Sequence, residues 1–81
     1  MSDSDYAVAK RKAAGLQEVV PKGSFWSHRE RGTHYKVLNI AIRESDLVPL
    51  VVYQSWNDDT IWARPADEFT DGRFVCLTMW S

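Results

Sequence analysis

The chain is short of cysteine, glycine, proline and histidine, with one, four, three and two of each in 81 residues. The lone Cys76 rules out an internal disulfide, so nothing in the sequence calls for an oxidising compartment. One cysteine and two histidines also fall short of a zinc-ribbon donor set unless carboxylates join them. No stretch approaches the ~18 consecutive apolar residues of a membrane-spanning helix. The amino terminus, MSDSDYAVAK, is polar and acidic where a secretory signal runs basic and then apolar. No glycine-rich phosphate loop is present. These absences predict a cytoplasmic protein with no membrane partner, no cofactor and no resident metal. Strong charge of one sign is missing too: the formal net charge of −1 argues against generic nucleic-acid binding.

What is present is apolar and aromatic. Hydrophobic residues make up 44% of the chain, with four Trp, three Tyr and three Phe, enough for a core because large aromatics bury ~150–250 Å² each. A chain this short makes one domain and hides only about 60% of the surface its unfolded form exposes, so stability is modest. Charge is unevenly placed. Residues 1–43 carry eight Lys or Arg against four Asp or Glu, whereas residues 44–81 carry two against seven. The run Lys10-Arg11-Lys12 is the only basic cluster and is read as a solvated helix end, with nucleic-acid contact the weaker alternative.

Residues 1–20 hold the only helical signal and are predicted as a short helix or a disordered tail ahead of a single domain at 21–81. Ser4 or Asp5 supplies a cap, Tyr6, Ala9 and Ala13 align on one face, and Gly15 follows. Leu16 to Val20 read as a lead-in strand or loop before the turn Pro21-Lys22-Gly23. Ser24 to His28 form the first strand, with Phe25 and Trp26 on opposite faces, and the charged tip Arg29-Glu30-Arg31-Gly32 turns the chain. Tyr35 to Arg43 and Leu50 to Trp56 are rich in Val, Ile, Leu and Tyr without Gly or Pro, and both read as strands. Turn chemistry in Glu44 to Pro49 joins them. After Asn57-Asp58-Asp59, Thr60 to Arg64 resume alternation with Trp62 and Arg64 on one face. Pro65 ends that strand, and Ala66 to Phe69 make a single turn. Asp71-Gly72 leads into a last strand, Arg73 to Trp80. The expectation is an all-β domain of about five antiparallel strands curved into a barrel or roll.

From Lys22 onward Gly23, Trp26, His28, Gly32, Tyr35-Lys36-Val37-Leu38, Val51-Val52-Tyr53, Trp62-Ala63-Arg64-Pro65 and Phe69 succeed one another, closed by Arg73-Phe74. This succession resembles the small bacterial family catalogued as domain of unknown function 1653. It covers roughly two-thirds of the chain. The stretch from His28 to Gly32 is a residue longer than the family pattern, and the residues from Val75 onward lie beyond it. The resemblance implies an SH3-like barrel and implies no activity, and a fold by itself supplies none.

Trp62 and Arg64 form the leading candidate surface, because an indole and a planar guanidinium side by side suit a ligand with a carboxylate, a phosphate or an aromatic ring. The alternative is structural: Trp62 packs over the open end of the barrel while Arg64 pairs with Asp67 or Glu68. Tyr53, Trp26 and His28 complete the candidate ligand-binding set. His28 and His34 flank a turn and would face each other in a metal reading, with Glu30 as a further donor, though solvated histidines are commoner. Cys76 lies in an apolar run and reads as core rather than nucleophile. The acid pairs Asp58-Asp59 and Asp67-Glu68 sit in turns and read as solvated. The expected function is a non-enzymatic binding module for a protein or small polar ligand; the alternatives are a structural protein that oligomerises through Val75 to Trp80 and a small enzyme using His28 or His34.

Overall fold

The structure, a computed structural model, describes residues 2–77. Helix α1 (Asp3–Val19) precedes strands β1 (Phe25–His28), β2 (His34–Ile42), β3 (Pro49–Ser55) and β4 (Ile61–Pro65); a one-turn helix α2 (Ala66–Phe69) then leads to β5 (Phe74–Cys76). The five strands form one antiparallel sheet in the order β4-β3-β2-β1-β5, so the chain meanders and its last strand returns to the first. β4 and β5 are the two edges of that order. Among the described residues the pairing is therefore open, and closure into the expected barrel is not part of it.

Alternation sets which side of the sheet is buried. Tyr35, Val37, Val51 and Tyr53 turn to one face together with Trp26 and Phe74, and all of them are buried. At the bulge between Val37 and Asn39 the alternation slips by one, which lets Val37 and, three residues on, Ile40 both pack against this core. Phe69, fully buried on α2, stacks on Phe74 with ring centroids 4.3 Å apart and meets Trp26 and Tyr53 at 5.1 and 5.2 Å. The polar atoms of these rings are satisfied locally. Trp26 Nε1–H donates to Ser24 Oγ at 2.9 Å, and Thr33 Oγ1 donates to the Tyr35 hydroxyl at 2.7 Å.

Helix α1 corrects the reading of the amino terminus in two respects. The cap is Ser2, neither Ser4 nor Asp5: Ser2 Oγ accepts the Asp5 N–H while the Asp5 carboxylate accepts the Ser2 N–H, a reciprocal box that satisfies two orphan donors. The helix also runs through Gly15 to Val19, so Leu16 to Val20 are not a lead-in strand or loop. The reason is tertiary. Leu16 and Val20, four residues apart on one helical face, both pack on the core, and the Val20 N–H donates to Leu16 C=O at 2.7 Å. Gln17 Nε2 adds a 3.4 Å bond to Asn39 Oδ1 on β2, while Tyr6 and Val8 stay exposed. No helix among the described residues is long and apolar enough to cross a membrane.

The turns follow their residues. Asp46 closes the β2–β3 turn by accepting from Arg43 and from the Val48 N–H, and Leu47 sits at φ 60°, a conformation its side chain disfavours. Pro65 (φ −51°) ends β4 and starts α2, as its ring requires. At the far end Phe74 and Cys76 turn inward while Val75 and Leu77 are exposed. The remainder of the segment expected to form a subunit contact, residues 78–80, lies outside the described residues.

Candidate functional site

The return of β5 to β1 brings two loops together. His28 pairs with Phe74, the Arg29 N–H donates to Arg73 C=O at 2.8 Å, and Arg29 Nε donates to Gly72 C=O at 3.0 Å. Gly72, at φ 104°, turns the chain so that its carbonyl meets that guanidinium. Arg64 enters from the end of β4. Its Nε donates to the Tyr53 hydroxyl at 3.3 Å, its guanidinium carbon lies 5.5 Å from the Phe74 ring centroid, and its Nη1 lies 3.7 Å from Glu68 Oε1. The bond to Tyr53 pushes the Arg64 pKa above the usual arginine value, with the Glu68 charge adding to the effect.

His28, Arg29, Glu30, Arg31, Arg64, Asp71, Gly72 and Arg73 line one open cleft of about 620 Å³. Four arginines, Arg29, Arg31, Arg64 and Arg73, line it against two acids, Glu30 and Asp71. Arg73 is held by Asp71 at 3.0 Å and by Glu68 at 3.6 Å. Arg31 is exposed, and its guanidinium makes no hydrogen bond or ion pair with the described residues. His28 rests edge-on against Phe74, and its Nδ1 accepts the Arg31 N–H at 3.2 Å, which leaves the ring hydrogen on Nε2. Phe74 is thus the shared floor beneath His28 and Arg64.

Of the residues singled out from sequence, the structure brings together Arg64, Tyr53 and His28. It separates the other two. Trp26 is a core residue whose Nε1–H is already spent on Ser24. Trp62 leaves β4 on the same face as Arg64 and opposite Tyr53 in register, but it stands 51% exposed at the sheet edge and does not line the cleft. The structural alternative for Arg64 is partly realised, since Glu68 is its acidic neighbour. His28 and His34 do not face each other. His28 meets Phe74 on the core side, whereas His34 meets Trp56 on the opposite face at 5.3 Å, so they form no metal-binding pair. Lys10 and Arg11 lie exposed on α1 and line no part of the cleft.

Arg29, Arg31 and Arg73 were not among the sequence candidates. The signal existed only as two separate fragments, the tip Arg29-Glu30-Arg31 and the closing pair Arg73-Phe74, and nothing local links them.

Fold and cleft together define a small antiparallel-sheet domain with a helix ahead of it and a basic cleft where the first strand meets the last. Residues 25–73 match the family described as protein of unknown function (DUF1653), and the chain belongs to it. That match takes in every residue lining the cleft, while α1 and β5 lie outside it. No curated protein and no solved structure matches the chain.

Proposed function

We propose that this chain is a binding module whose cleft takes the carboxylate or phosphate group of a small polar ligand or protein partner. The observation that carries the reading is the convergence of Arg29, Arg31, Arg64 and Arg73 on one cleft against fewer carboxylates. Guanidinium groups offer paired donors in a planar fork, which fits such anions in two-point geometry. Tyr53 and Phe74 support this by fixing Arg64 from beneath. Binding and not catalysis is the better reading of His28. A general base needs an orienting acid, and the His28 Nδ1 is taken by a backbone amide of its own turn. An SH3-like roll is supported by the strand order and by the bulge in the nine-residue β2, which bends one long strand between two halves of the sheet. The single cysteine supports a cytoplasmic setting.

Nuclear magnetic resonance titration of the isotope-labelled chain with inorganic phosphate, and separately with citrate, tests the reading. Saturable shifts are expected at the amides of residues 28–31 and 71–73. Arg31→Gln, which removes a guanidinium with no structural partner, is expected to weaken binding by about tenfold, the equivalent of losing one charge-assisted hydrogen bond of ~1.4 kcal/mol. Shifts that never saturate, or equal affinity in the variant, would contradict it.

A further inference from the structure

Among the described residues the outer edge of β4 is open, and its hydrogen-bonding pattern is specific. Ser55 N–H donates to Thr60 C=O at 2.9 Å, and from there the ladder sets Gln54 against Ile61, Tyr53 against Trp62, Val52 against Ala63 and Val51 against Arg64. Hydrogen-bonded pairs alternate along an antiparallel ladder, so Trp62 and Arg64 direct their backbone groups toward β3. Ile61 and Ala63 direct theirs outward, where the sheet has no further strand among the described residues. Ile61 and Trp62 are 59% and 51% exposed, and Ala63 is exposed as well. Exposed edges are usually blunted by lysine, proline or a bulge. Residues 60–63 contain none of these, and proline enters only at Pro65.

We infer that β4 pairs antiparallel with β4 of a second copy of this chain, about a two-fold axis that passes through Trp62. The register follows from which groups are available. With Trp62 opposite the partner's Trp62, Ile61 stands opposite the partner's Ala63, and every outward N–H and C=O of Ile61 and Ala63 finds a mate. An axis at Ala63 would set Ile61 against the partner's Pro65, which has no N–H to give. An axis at Ile61 would set Ala63 against the partner's Asp59, and in this chain the Asp59 N–H already donates to Ser55 C=O at 3.1 Å. The strand is therefore self-complementary in one register, which favours a second copy over a foreign peptide. Trp62 occupies a non-hydrogen-bonded position of the new ladder, where Cα atoms approach to ~4.5 Å, so the two indoles pack together and lose their exposure. An interface this narrow falls in the class below ~1,200 Å², and the dimer is a weak, concentration-dependent one.

Sedimentation equilibrium of the full chain from micromolar to millimolar concentration tests the inference. The weight-average mass is expected to rise from 9.3 kDa toward twice that value. Ala63→Pro, which deletes an outward N–H, is expected to hold it at the monomer value, with circular dichroism checking that the variant is folded. Independently, in a Cys76→Ser background, Trp62→Cys is expected to form an intermolecular disulfide at least tenfold faster than Thr60→Cys, because only the axial position brings like residues within the ~4.4–6.8 Å that a disulfide spans. A mass of one chain at every concentration, or equal cross-linking at the two positions, would overturn the inference and leave the edge to solvent or to a foreign strand.

Discussion

Arg64 and Arg73 close on the same carboxylate oxygen, Glu68 Oε1, at 3.7 and 3.6 Å. One arginine comes from the end of β4 and the other from the turn before β5, so a single acid on α2 ties both to the cleft wall. Glu68 does this from a half-exposed position, where such pairs contribute little to stability. Its larger effect is to neutralise part of the cleft's charge.

Replacing Glu68 therefore separates affinity from stability. Glu68→Gln keeps the side-chain volume and removes the charge, and the chain is expected to bind phosphate several-fold more tightly. The loss of two partly exposed ion pairs is expected to lower stability by less than ~1 kcal/mol. Phosphate titration and urea unfolding of the same preparation check both. Unchanged affinity would mean that Glu68 does not compete with the anion.

Phe69 is the core position that tolerates least. Fully buried, it stacks on Phe74 and meets Trp26 and Tyr53, so Phe69→Ala empties the centre of an aromatic cluster. Such truncations cost ~3–5 kcal/mol. Against a total of ~4–12 kcal/mol for a domain of this length, a large unfolded fraction is expected at ambient temperature. Urea titration followed by tryptophan fluorescence reads it. A midpoint shift equivalent to less than ~1 kcal/mol would show that the site collapses around the cavity.

The strands, the corner at Pro65, the single turn Ala66–Phe69 and the core side of Cys76 were legible because each depends on residues next to one another: alternation, a ring without an N–H, a short polar turn. The bulge between Val37 and Asn39 was not, since an inserted residue is indistinguishable from continued strand until its partner is known. Local sequence does not show that helix α1 continues past Gly15, because the contacts that carry it onward, Leu16 and Val20 on the sheet, are tertiary. The cleft was half legible. Arg64 and His28 stood out by type, but Arg29 and Gly72, 43 positions apart, meet only through β1–β5 pairing. Alternation puts Trp62 and Arg64 on one face; that the strand carrying both is an edge of the sheet depends on strand order, and alternation does not contain it.

The same substitution is expected to have opposite signs at two glycines. Gly15 lies exposed within α1 with no atom within 4 Å of an added Cβ, so Gly15→Ala is expected to stabilise by ~0.5–1 kcal/mol through helix propensity. Gly72 also has room for a Cβ, but its φ of 104° is one that alanine resists, and Gly72→Ala is expected to cost at least ~1 kcal/mol. It is also expected to weaken phosphate binding, because the Gly72 carbonyl holds Arg29. Thermal melts of both variants, run beside the titration, check the signs; a stabilising Gly72→Ala would contradict the backbone argument.

Acid is expected to remove a small, identifiable part of the stability. The Asp46 carboxylate is held below its usual pKa first by its hydrogen bonds from Arg43, at 2.6 and 2.9 Å, and that of Asp58 first by the Thr60 N–H at 3.0 Å. Unfolded, each carboxyl titrates near ~3.9. Because the folded values are the lower ones, the ionised forms favour the folded chain at neutral pH, and this contribution is fully present above ~4 and lost as the pH falls through the depressed values. Both groups are solvent-exposed, so the effect per residue is small. Asp46→Asn and Asp58→Asn are accordingly expected to melt slightly below the wild type at neutral pH. That gap is expected to vanish well below pH ~3, where the wild-type carboxyls are protonated as well. Thermal melts of wild type and both variants across this range provide the measurement, and a gap that widened on acidification would mean that these carboxylates are not ionised partners of the turns they close.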